Sequence, residues 1–162
     1  MSFLDTNIII RFLTSDDLNL GNRRVGLRFI LDVPAGATIV SADVQFTAQE
    51  ESTKASTLTV EGEANATALP FTTSQFDVTN RPRTSAAVTW LPPVWTTQGA
   101  AAAAERTPDL TAIIQEIIDQ PGWQQGNGLV LIITGRGERE AWAYDGSPAM
   151  APVLYVEYTQ GP

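Results

Sequence analysis

The sequence predicts an all-β protein, an antiparallel β-sandwich of the jelly-roll type with one α-helix packed on a sheet. Three observations carry this. Several stretches alternate apolar and polar residues with period two, the mark of half-buried strands. Glycine, proline and asparagine clusters separate them at short intervals. One run after Thr107 has the helical period instead. The length, 162 residues, fits one domain spanning 1–162 that buries a core without staples.

Taken in order, Asn7–Leu13 and Asp17–Leu20 are short strand candidates. In the next run Val25, Leu27, Phe29 and Leu31 share a face. From Val40 to Ala48, the residues Val40, Ala42, Val44, Phe46 and Ala48 point one way, and Ser41, Asp43, Gln45 and Thr47 the other. Leu58, Val60 and Gly62 oppose Thr57, Thr59, Glu61 and Glu63. Ala86–Leu91 and Ala141–Tyr144 are shorter candidates, and Leu154, Val156 and Tyr158 oppose Val153, Tyr155 and Glu157. Turns fall at Leu20-Gly21-Asn22, Pro34-Ala35-Gly36, Arg81-Pro82-Arg83, Pro92-Pro93 and Gly135-Arg136-Gly137. Ala100–Ala104 is either a helical lead-in or a loop.

The helix is expected over about residues 108–119. Thr107 suits the N-cap, and Pro108 the first helical position, where a missing N–H costs nothing. Asp109 places a carboxylate at the positive end of the helix dipole. Leu110, Ile113, Ile114 and Ile117 form the buried stripe, and Pro121-Gly122 ends the run. Leu129–Ile133 is apolar on both faces, as a strand covered by a helix on one side and by the core on the other should be.

Composition excludes whole classes of chemistry. Cysteine and histidine are absent, which removes disulfides, thiolate and imidazole metal ligands, cysteine nucleophiles and the Ser-His pair. A net charge of −8 argues against a phosphate-binding surface, so no nucleic-acid partner is expected. Ile8-Ile9-Ile10 is too short to span a membrane. The start, Met-Ser-Phe-Leu-Asp, has no secretory signal, so either one was removed or the protein reaches its place by assembly. Nine of the ten basic residues are arginine, a skew that reflects either genome composition or a use for fixed ion pairs and interfaces.

Candidate sites follow from residue chemistry. Trp95, Trp123 and Trp142 are either sugar-stacking platforms or packing residues, while Trp90 ends an alternating run and belongs in the core. Asp16, Asp17 and Asp145 are first candidates for a structural calcium ion, although the acidic residues match no dense ligand loop and otherwise form a solvated face. Otherwise no cofactor is expected. Arg81, Arg83, Arg136 and Arg139 stand in charged loops able to form ion pairs at a subunit contact. Gly135-Arg136-Gly137 lacks the following helix that a phosphate loop needs, and no carboxylate pair is marked for glycoside hydrolysis.

An ordered series of motifs adds a resemblance. It runs through Val25-Gly26-Leu27-Arg28-Phe29, Pro34-Ala35-Gly36-Ala37-Thr38-Ile39, Arg81-Pro82-Arg83-Thr84 and Pro92-Pro93-Val94-Trp95. It continues with Arg106-Thr107-Pro108-Asp109-Leu110, Gln115-Glu116-Ile117, Pro121-Gly122-Trp123, Gly126-Asn127 and Tyr144-Asp145-Gly146-Ser147-Pro148. Over roughly residues 14–158 the chain resembles the DNRLRE-type jelly-roll domains of bacterial secreted and surface proteins, some of which are carbohydrate-binding modules. The resemblance implies a non-catalytic sandwich used for adhesion or glycan binding and supplies no assigned ligand residues. The expectation is a non-enzymatic structural or assembly module on the surface of a virion or similar particle, of the phage decoration or tail and fibre kind, self-associating or bound to protein partners. The alternative is an extracellular carbohydrate-binding module, and an enzyme comes third.

Overall fold

In the computed structural model, which describes residues 23–160, the alternating segments form six strands. These are β1 (Arg23–Leu31), β2 (Thr38–Gln45), β3 (Thr57–Glu63), β4 (Arg83–Trp90), β5 (Asn127–Arg136) and β6 (Val153–Thr159), with one helix, α1 (Thr111–Ile118). A four-stranded sheet has the order β1-β5-β3-β4 and a two-stranded sheet pairs β2 with β6. Every pairing is antiparallel. The chain passes between the sheets after β1, after β2 and after β5, the cross-sheet connection pattern of an antiparallel sandwich. The expected strands Asn7–Leu13 and Asp17–Leu20 lie outside the described residues.

Alternation sorts the strand faces as physics requires. Leu27, Phe29, Leu31, Val60, Leu129, Leu131 and Leu154 are buried in one core between the sheets. One position is displaced. Val40 is 52% exposed and Ile39 is buried, because the β2–β6 register slips between Ile39 and Ser41. A bulge there turns one residue out of step and re-phases the strand, so Ala42 and Val44 still face inward. The expected strand Ala141–Tyr144 is reduced to one bridge, Ala48 to Ala141, before the chain turns. Ala100–Ala104 is mostly loop, ending in a single 3-10 turn at Ala103–Glu105.

The helix starts later than its local signals suggest. Residues 106–109, between the 3-10 turn and the helix, stay out of the helix because the stretch from Glu105 to Leu110 hydrogen-bonds along the free edge of β2. Phe46 N–H donates to Glu105 O, Thr107 N–H to Val44 O, and Leu110 N–H to Ala42 O. Thr107 is therefore not the N-cap; its hydroxyl accepts from Val44 N–H at 3.0 Å. Asp109 does the capping work, accepting from the backbone and hydroxyl of Thr111 at 3.1 and 2.6 Å. The Thr111 hydroxyl bond, helped by backbone donors, holds the Asp109 carboxyl below its ordinary pKa. The eight helical residues span about 12 Å.

α1 closes one side of the sandwich. Its face of Ile113, Ile114, Ile117 and Ile118 enters the main core. Two neighbouring polar residues cap the two sheet edges it meets. Gln115 accepts from Ile39 N–H and donates to Ala37 O on the β2 side. Glu116 accepts from the Ser85 and Ala86 N–H groups of β4, both at 2.7 Å. Sheet edges left open invite foreign strands, and here a helix covers two at once. Glu116→Ala is expected to cost about 1–2 kcal/mol in a urea melt and to speed amide exchange at Ser85 and Ala86. Unchanged exchange there would show that the carboxylate is dispensable.

The second face of β5 is covered by chain without regular structure, a correction to the expected order of layers. Leu129, Leu131 and Ile133 face the core that holds α1, whereas Val130 and Ile132 pack under Ala68, Phe71 and Val78 of segment 64–82. This segment lies close on the sheet because Gly26 has no side chain; a Cβ there would meet the Phe71 ring at 2.5 Å.

Candidate functional site

The four arginines expected at an interface divide into two kinds. Arg81 is a structural hub, 9% exposed at its side chain. It pairs with buried Glu63 at 2.7 Å and with Asp77 at 3.3 Å, donates to Leu69 O and Pro70 O, and lies 4.6 Å from the Phe71 ring centre. These bonds fold segment 64–82 onto the sheet. Arg139 is a second clamp, donating to Pro92 O, Pro93 O, Lys54 O, Glu138 O and Ser56 Oγ. It joins three loops at one end of the sandwich. Neither guanidinium is spare for a partner.

Arg83 and Arg136 do reach a surface. With Arg24 they line a shallow groove of about 470 Å³ on the outer face of the four-stranded sheet, beside Thr57, Thr59, Glu61 and Thr134. The pairings β1–β5–β3–β4 bring these residues together from four strands. Glu61 is the groove's one carboxylate, 3.6 Å from Arg83 Nη1, and that nitrogen has no hydrogen-bond partner. Burial, chiefly, lowers the Arg83 pKa; Glu61 opposes the shift and Arg24 adds to it, so the two guanidinium groups feel each other across the groove.

The tryptophans turn inward. Trp95 is 1% exposed and donates its indole N–H to Ala104 O. Trp123 is buried and donates to Val33 O. A ring without an exposed face cannot stack on a sugar, so both are packing residues here. Trp142 is half-buried in the turn region beside Gly146 and is the candidate among the three with ring surface left over. Trp90 is core as expected, stacked on Phe46 at 5.5 Å.

Beside Trp90 the structure holds a recess of about 380 Å³ between the sheets, at the end tied by Arg139. Phe46, Trp90 and Trp95 meet there with Val25, Leu58 and Ile133. Sequence reasoning did not single out this recess or the Arg24 and Thr59 part of the groove. The outward phase of Thr57, Thr59 and Glu61 was legible; which strands flank them was not.

Asp145 is exposed, and Asp16 and Asp17 lie outside the described residues. No group of three His, Cys, Asp or Glu able to hold a metal occurs among the described residues. No helix among them is long and apolar enough to cross a membrane.

Fold and surfaces together define an antiparallel β-sandwich, edge-capped by one helix, with a cationic groove on a sheet face and an aromatic recess at one end. No protein-family model matches the chain, and no characterised protein matches it significantly.

Proposed function

We propose that the chain is a non-enzymatic structural or assembly module on the surface of a virion or similar particle, and that it docks through the outer face of its four-stranded sheet. The observation that carries this reading is the groove: in a chain of net charge −8, three arginines gather around one carboxylate. Such a strip is complementary to an acidic surface, including that of a second copy, and complementarity of this kind sets register and partner choice. The buried and edge carboxylates support the non-enzymatic part, because they hold structure. Glu63 pairs with Arg81, Glu105 accepts from Ala102 N–H, and Glu116 caps β4. The resemblance to DNRLRE-type modules supports the non-enzymatic part by analogy, and what it implies beyond that is adhesion or glycan binding.

Sedimentation velocity at low and high salt tests it. A homo-oligomer that dissociates as salt rises is expected, with Arg136→Glu weakening association about tenfold or more. A chain that stays monomeric at low salt and high concentration would falsify self-assembly through this face.

A glycan-binding role is the second reading, favoured by the hydroxyls of Thr57, Thr59 and Thr134 in the same groove. A glycan array with and without calcium tests it. Loss of binding in Arg136→Glu assigns the groove, loss in Trp142→Ala assigns the turn, and no binding to any glycan removes the reading.

A further inference from the structure

We propose that a second copy of this chain fills the arginine groove with the tip of its own loop at Glu50-Glu51. The inference rests on the assembly reading and deepens it, because it names the surface that meets the groove.

The free charges of the chain select the two halves of this contact. Among the described residues, Glu50, Glu51 and Asp145 are the carboxylates that accept no hydrogen bond and join no ion pair, and every other one has a partner in the chain. Glu50 and Glu51 are adjacent and both exposed, whereas Asp145 stands alone. On the basic side, Arg136 is exposed and is the described cation without a partner. An acidic doublet and a cationic groove are therefore left over on one molecule. Each copy carries a net charge of −8, so the long-range field opposes association, and a local contact of opposite sign must draw two copies together.

The groove offers two guanidinium groups to two carboxylates. Arg24 faces Thr134 across β1 and β5, and Arg136 lies one same-face step further along β5, opposite Thr57 of β3. Diagonal neighbours of this kind stand about 7–8 Å apart. Adjacent glutamates, about 3.8 Å apart at Cα, can spread their long side chains to meet both. Arg24 spends Nη1 on Thr79 Oγ1 at 3.1 Å and keeps its other donors. Arg83 is set deeper, with Nη1 buried beside Glu61, and adds charge rather than contact.

The tip is held ready. Ala48 bridges to Ala141 on one side of it, and Ser52 bridges to Trp95 on the other. Gln49 N–H donates to Glu140 O, and Ser52 Oγ accepts from Glu140 N–H. A tip pinned on both sides loses little freedom when it binds. Tip and groove also share one end of the sandwich, since the short link 52–56 joins Glu51 to Thr57, the cross-strand neighbour of Arg136. One two-fold contact thus places each tip in the other copy's groove, an isologous arrangement.

Sedimentation velocity of the full chain at low salt, with charge-reversed variants, tests this. Arg136→Glu and the double variant Glu50→Arg with Glu51→Arg are each expected to weaken self-association about tenfold or more. An equimolar mixture of the two variants is expected to recover it, because every tip then meets a groove of opposite sign. Asp145→Arg, at the remaining free carboxylate, is expected to leave association unchanged. The tip residues hold no partner within the chain, so thermal melts should match wild type. Glu50→Gln with Glu51→Gln, read as a smaller loss, repeats the test should the reversed variant not fold. Association that ignores the tip variants, a loss in Asp145→Arg instead, or a mixture no tighter than either variant alone overturns the tip as occupant. If Arg136→Glu still weakens association in that case, the groove reading stands and its acidic partner surface lies elsewhere. A chain that is monomeric at every concentration overturns both.

Discussion

Replacing Arg81 with methionine is expected to destabilise the fold by about 3–5 kcal/mol, the usual result of removing one partner of a buried ion pair. Arg81 and Glu63 have side chains only 9% and 6% exposed, and their closest atoms are 2.7 Å apart. Methionine keeps much of the packing volume over Phe71 but leaves Glu63 charged and buried, and it releases Leu69 O, Pro70 O and Asp77. The damage is expected to begin locally. Limited proteolysis should cut segment 64–80 well before global unfolding, because the hydrogen bonds that fold it converge on this guanidinium. Adding Glu63→Gln should recover a sizeable part of the loss by removing the stranded charge. Urea melts of the two single variants and the double variant measure each quantity. A loss below about 1 kcal/mol in Arg81→Met would mean that Glu63 has found another cation, and Arg28, whose charge already feels Glu63, is the one placed to serve.

The second large effect concerns the contact between α1 and β3. Ile117→Ala is expected to cost about 2–5 kcal/mol, because a fully buried side chain is lost and a cavity remains. Gly62 lies directly beneath it. A Cβ at that position would sit 2.5 Å from Ile117 Cδ1, 2.9 Å from Ile113 Cγ2 and 3.0 Å from Thr84 Cγ2. Gly62→Ala alone is therefore expected to cost about 1–3 kcal/mol through overpacking. The pair should be non-additive. Shortening Ile117 makes room for the new methyl group, so the double variant should be more stable than the sum of the single losses by about 1 kcal/mol or more. Strict additivity in thermal or urea melts would show that the helix shifts bodily rather than resting on the glycine.

Much of the architecture was legible along the chain. The inward phases of β1, β3 and β6, the isoleucine stripe of α1 and the two-faced apolarity of β5 all follow from side-chain direction. That direction is set by local backbone geometry and repeats with a fixed period. The misreadings also have local causes. Thr107, Pro108 and Asp109 carry real helix-start chemistry, yet residues 105–110 pair with β2, and strand bonds to a partner some 63 residues away outweigh a cap preference. Val40 sits one residue out of the phase that alternation predicts, because a bulge leaves no mark on an apolar pattern.

The candidate sites were less legible, and the reason is the same in each case. An arginine in a charged loop reads identically whether it will face solvent, line a groove or hold a loop together. Arg81 becomes a hub because Glu63 is brought to it from 18 residues away, and Arg139 a clamp because residues 54–56 and 92–93 fold around it. Trp95 and Trp123 likewise lost any platform role to carbonyls of Ala104 and Val33.

By itself, then, the sequence determined the sandwich class, the faces of its strands, the helix that joins it and the chemistry that His- and Cys-free composition excludes. These are properties of neighbouring residues and of totals. Tertiary structure alone decided which side the helix closes, what covers the outer face of β5, and which charges and rings are left for a partner. Those outcomes depend on strand order and on contacts between distant residues, which no local period encodes.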